Sequence, residues 1–72
     1  MTKTTTDLKD IVRLGGGLSI DATNRTSTDL KDIARLANNS GAIIIIKNTD
    51  SMTPTDLKDI ARLAPSKIIF EI

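Results

Sequence analysis

The chain has 72 residues, 39% hydrophobic and 26% charged, with ten Lys and Arg against nine Asp and Glu for a net charge of +1. That is room for one folded domain, 1–72, and too apolar a composition for a disordered tail. The near-balance of charge gives no pull toward nucleic acid or an anionic membrane, and with no Cys and no His a disulfide framework and a thiolate or imidazole metal site are excluded.

Reading from the start, "MTKTTTDLKD" holds no apolar signal segment and leads into a first helix. Thr4 is its predicted N-cap and Asp7 follows three residues later, the Thr-x-x-Asp form of a capping box with an acid at the positive end of the helix dipole. The helix carries "TDLKDIVRL" at Thr6–Leu14, and Gly15-Gly16-Gly17 should stop it. The β-branched segment "LSIDA" at Leu18–Ala22 then reads as a strand, with Leu18, Ile20 and Ala22 inward and Ser19 and Asp21 outward.

The same order recurs. Thr26 caps a second helix with Asp29 three residues on, and "TDLKDIARLA" at Thr28–Ala37 places Leu30, Ile33, Ala34 and Ala37 at the i, i+3, i+4, i+7 spacing of one buried face. "NNSG" at Asn38–Gly41 is the predicted stop and "AIIIIK" at Ala42–Lys47 the predicted strand. Thr53, Pro54 and Asp56 open a third helix through the identical "TDLKDIARLA" at Thr55–Ala64, with proline at a first-turn position whose amide has no helical partner. Pro65 ends it, and "KIIFEI" at Lys67–Ile72 is the third strand, with Ile68, Phe70 and Ile72 inward.

The three copies of the motif make the chain αβαβαβ. Strands joined through single helices should be parallel, and right-handed crossovers put the helices on one face. The expected architecture is α/β: three tandem helix-strand repeats (about 4–24, 26–48 and 53–72) forming a short parallel sheet in the order 1-2-3, helices on one face, solenoid-like. The unit length and the segment Ile43-x-Ile45-x-x-Asn48 are similar to the strand-plus-asparagine segment of a leucine-rich repeat. The resemblance implies a protein-binding scaffold whose exposed strand face is the working surface.

The inventory of reactive groups argues against an enzyme. His, Cys, Tyr and Trp are absent, Glu71 is the only Glu, and Asp10, Asp32 and Asp59 are equivalent copies where an active site needs unlike groups converging. Gly15–Gly17 follow a helix and precede a strand, the reverse of a phosphate-binding loop, and "NRT" and "NNS" match a glycosylation pattern that loop residues often match by composition alone. No cofactor or metal is expected.

Stepping about 100° per residue puts Lys9 and Arg13 on one flank of the first helix and Asp7 and Asp10 on the other. Lys31 and Arg35 stand opposite Asp29 and Asp32 in the second copy, and Lys58 and Arg62 opposite Asp56 and Asp59 in the third. Neighbouring helices should therefore pair basic flank to acidic flank in a charge ladder of Lys9, Arg13, Asp29, Asp32, Lys31, Arg35, Asp56 and Asp59. A basic ladder for nucleic acid is the competing reading, weakened by the acidic neighbours and by the lack of stacking aromatics.

On the helix-free face, two of Ile43, Ile44, Ile45 and Ile46 must point outward in either register, with Ile69 beside them. The expectation is a non-enzymatic structural or protein-interaction module, cytoplasmic, a homo-oligomer that associates through this strand face or its sheet edges. The alternative is a small regulatory or inhibitory protein that binds a different protein through the same face. A hydrolase or transferase working through Asp and Lys is the reading from another class.

Overall fold

A computed structural model describes residues 4–71, Asn24 through its backbone alone. The chain runs through helices α1 (Thr5–Arg13), α2 (Ser27–Ser40) and α3 (Pro54–Leu63), alternating with strands β1 (Leu18–Asp21), β2 (Ile44–Lys47) and β3 (Ile68–Phe70). Short 3-10 turns at Ala22–Asn24 and Thr49–Ser51 follow the first two strands.

Each helix begins one residue after its threonine cap. The hydroxyls of Thr4, Thr26 and Thr53 accept from the amides of Asp7, Asp29 and Asp56 at 3.1, 3.1 and 3.2 Å. Such caps satisfy amides that no helical carbonyl can reach, at about 1 kcal/mol each. In α1 the box closes in both directions, the Thr4 amide donating to Asp7 Oδ2 at 3.3 Å. Pro54 fills the first turn of α3.

The helices stop differently from one another. Gly15 takes φ 89 after α1; its amide donates to the Val12 carbonyl at 2.9 Å and that of Gly16 to Ile11 at 3.0 Å, the paired bonds of a Schellman stop. Within the expected stop, Asn38–Gly41, the chain turns only at the last residue. The helix continues through Asn38, Asn39 and Ser40 until Gly41, at φ 84, turns the chain with its amide on the Ala37 carbonyl at 2.8 Å. Asparagine tolerates the left-handed region, but glycine enters it without a Cβ cost, so the true stop is the glycine.

The strands are shorter than their apolar segments. Asp21 turns its carboxylate onto the Thr23 amide at 2.9 Å and starts the 3-10 turn, which takes Ala22 out of β1. Ala42, Ile43 and Lys67 precede the paired residues, and Ile72 lies outside the described ones. All three strands are parallel in the order β1-β2-β3, with Leu18, Ile44 and Ile68 in one row, Ser19, Ile45 and Ile69 in the next, then Ile20, Ile46 and Phe70.

Burial follows the pleat. Val12, Leu30, Ile33, Ala34, Ala37 and Ile60 from the helices and Ile20, Ile44 and Ile46 from the strands form one core, with Ala22, Ala42 and Ala64 at its margins. Of those twelve buried apolar residues among the described ones, five are alanines, so the interior is thin for a chain of this length. Ser19, Ile43 and Ile69, of the opposite pleat, are exposed. Helices cover one side of the sheet and leave the other open.

Candidate interaction surfaces

The open face is a small grid. Extending the strand register one step either way gives a first row of Gly17, Ile43 and Lys67, a middle row of Ser19, Ile45 and Ile69, and a last row of Asp21, Lys47 and Glu71. Ile43 is 42% exposed and Ile69 50%, and Ile45 is half-buried between them. Of the five isoleucines expected at an interface, Ile44 and Ile46 cannot serve. Their side chains are fully buried beneath the helices, because period-two alternation sends every second residue of β2 into the core. Ile43 and Ile45 are the pair that faces out. The apolar patch is therefore Ile43, Ile45 and Ile69, bordered by charges.

Along the helix layer, lysine steps from one helix to the next. Lys9 Nζ lies 3.4 Å from Asp32 Oδ2, and Lys31 Nζ lies 3.9 Å from Asp59 Oδ2. The arginines do not take this route. Arg13, Arg35 and Arg62 reach Asp10, Asp32 and Asp59 of their own helices at 2.8, 2.8 and 3.1 Å, because a residue three positions on is a near neighbour on the helix surface. Asp32 and Asp59 each hold a lysine on one oxygen and an arginine on the other.

Asp29 and Asp56 meet hydroxyls where cations were expected. Thr5 Oγ1 donates to Asp29 Oδ2 at 3.5 Å, and Ser27 Oγ donates to Asp56 Oδ2 at 3.2 Å. Sequence reasoning missed this seam, although its signal was present: the first helical residue is Thr5 in one copy and Ser27 in the next. Asp7, with no helix before it among the described residues, closes its own box.

A second cross-strand link joins the ends of β1 and β2. Asn48, in the left-handed region at φ 56 and ψ 52, donates from Nδ2 to Asp21 Oδ2 at 2.9 Å. Asp21 Oδ1 accepts from the Thr23 hydroxyl at 2.6 Å and from the Thr23 amide at 2.9 Å. The Thr23 hydroxyl and then the Thr23 amide hold the Asp21 carboxyl below the ordinary aspartate range against an opposing desolvation, with the Asn48 bond and the Lys47 charge adding smaller effects.

The grooves between helices repeat one composition. Lys9, Arg13, Asp32, Arg35 and Leu36 line the first, and Lys31, Arg35, Asp59, Arg62 and Leu63 the second. Both are seams of the ion pairs above, without a nucleophile and base set against each other. Among the described residues, no group of three or more His, Cys, Asp or Glu side chains could hold a metal ion, and no helix is long and apolar enough to cross a membrane. No protein-family model, curated protein or solved structure matches this chain.

Proposed function

We propose that this chain is a non-enzymatic protein-interaction module, a short α/β solenoid of three helix-strand units that self-associates through the open face of its sheet. The observation that carries the reading is the apolar patch of Ile43, Ile45 and Ile69 on the helix-free side of an all-parallel sheet. Parallel sheets are ordinarily covered on both faces, and among the described residues this one has a single helix layer. A second copy supplies the missing cover at no cost in new sequence, and two identical apolar faces are self-complementary about a two-fold axis.

Charge decides which two-fold axis. An axis along the strands sets Lys47 against Lys47 and Asp21 against Glu71 of the other copy. An axis across the strands sets Lys67 against Glu71, keeps Ile45 and Ile69 at the centre and lays Ile43 along the apolar stem of Lys47. The second arrangement pairs opposite charges at the rim and is the geometry proposed.

Sedimentation over micromolar concentrations tests the reading. Wild-type chains should associate, and Ile45→Lys or Ile69→Lys should abolish the face contact while helix content stays unchanged. A folded wild-type monomer at every concentration would overturn self-association and leave the same patch to a different protein.

A further inference from the structure

The two ends of the helix layer expose complementary halves of an interface that the molecule already builds twice inside itself. Equivalent residues make this visible. The position facing the preceding helix is Ile11, Ile33 and Ile60 in the three copies, and its exposure is 39%, 1% and 0%. The position facing the following helix is Val12, Ala34 and Ala61; the first two are buried and Ala61 is exposed. Among the described residues, no helix packs in front of Ile11 or behind Ala61.

The charges follow the same pattern. Lys9 and Lys31 are half-buried on Asp32 and Asp59, whereas Lys58, the third copy, is exposed. Asp10, the first copy of the receiving carboxylate, is exposed and touches its own-helix Arg13. One end thus offers a lysine and the other an aspartate at the positions that pair across both interior steps. The outer edges of β1 and β3 are also parallel edges of one sheet, with no strand paired beyond them among the described residues.

We propose that a second copy of this chain docks at these ends, α1 of one molecule against α3 of the next, so that copies stack head to tail. The inference rests on the self-association reading but uses a surface distinct from the open face. Lys58 then meets Asp10 of the next copy, Ile11 is covered, and β3 runs beside β1 with Ile68 opposite Leu18. The contact is weaker than the interior steps for two stated reasons. Pro54 has no hydroxyl to give to Asp7, whose carboxylate already closes its own cap. In addition, Glu71 comes to lie beside Asp21, where the interior step places Lys47 beside Asp21. A heterologous contact of this kind does not close on itself without a matching rotation, so it gives open-ended growth.

The experiment is light scattering across concentration, run on the wild-type chain and on Ile45→Lys, in which the face contact is removed. Average mass should keep rising with concentration in both. Lys58→Glu and Asp10→Lys should each raise the concentration needed for assembly by roughly threefold to tenfold, on the scale of one exposed ion pair made repulsive. Mixing the two variants should restore assembly, because each then offers the other an opposite charge at both ends. Glu71→Lys, made in the Ile45→Lys chain where the Lys67–Glu71 rim pair of the face contact plays no part, should strengthen stacking by repeating the Lys47 arrangement. Assembly indifferent to these four tests, or arrested at a closed dimer in the wild type and absent in Ile45→Lys, overturns the head-to-tail contact and leaves the face contact standing. Loss of growth in Ile45→Lys with an unbounded wild type overturns it equally.

Discussion

Asn48 and Asp21 do two jobs with one bond. Asn48 sits in the left-handed region that costs most side chains about 1–2 kcal/mol, and its amide ties the end of β2 to the end of β1. Asn48→Gly keeps the backbone and loses the bond, whereas Asn48→Ala loses both. Chemical denaturation should therefore rank them wild type, then Gly, then Ala, with Ala about 1–2 kcal/mol below the wild type; an alanine variant as stable as the glycine one would mean the backbone at 48 relaxes freely. Asp21 adds a pH dependence. Its folded-state pKa is lowered, so its carboxylate contributes stability that is present above the ordinary aspartate value of about 3.9 and is lost as pH falls through the folded value. Asp21→Asn should be less stable than the wild type at neutral pH, with the gap narrowing in acid. Denaturant midpoints at both pH values check the sign.

The three helices were legible at their starts and less so at their ends. A threonine followed three residues later by aspartate is a local chemical device, and the starts at Thr5, Ser27 and Pro54 depend on nothing beyond that turn. The end of α2 is a competition between Asn38, Asn39 and Gly41, settled by which residue takes positive φ at least cost, and periodicity carries no information about it. The helical wheel likewise separated acidic from basic flanks but could not choose between an arginine's neighbour across the seam and its neighbour three residues back. The longer reach to Asp32 fell to Lys9, and Arg35 took the near one. A double-mutant cycle measures the consequence. Lys9→Ala and Asp32→Ala should couple by about 0.2–1 kcal/mol, falling in high salt as expected for half-exposed charges. Simple additivity would mean that the seam is held by apolar packing alone.

At the scale of the molecule, the pleat of β2 decided what the sequence left open. Four consecutive isoleucines cannot reveal which two face the helices, since every register is equally apolar; in the fold Ile44 and Ile46 join the helix residues in one core. The remaining pair, with Ile69, leaves a small core and an uncovered apolar face in the same protein. These two features have a joint thermodynamic signature. If the folded chain binds another copy and the unfolded chain does not, association adds to stability by mass action. For an obligate dimer, a tenfold rise in protein concentration should raise the apparent free energy of unfolding by about 1.4 kcal/mol per dimer and move the thermal midpoint upward. In Ile45→Lys, which places a charge at the centre of the patch, the face contribution should vanish, leaving only the smaller dependence due to end-to-end stacking. Thermal unfolding followed by circular dichroism over two decades of concentration gives the slope directly. A midpoint independent of concentration in the wild type would mean that the twelve buried apolar residues among the described ones, five of them alanine, suffice to hold the fold alone, and that the isoleucine face is exposed for a purpose other than self-association.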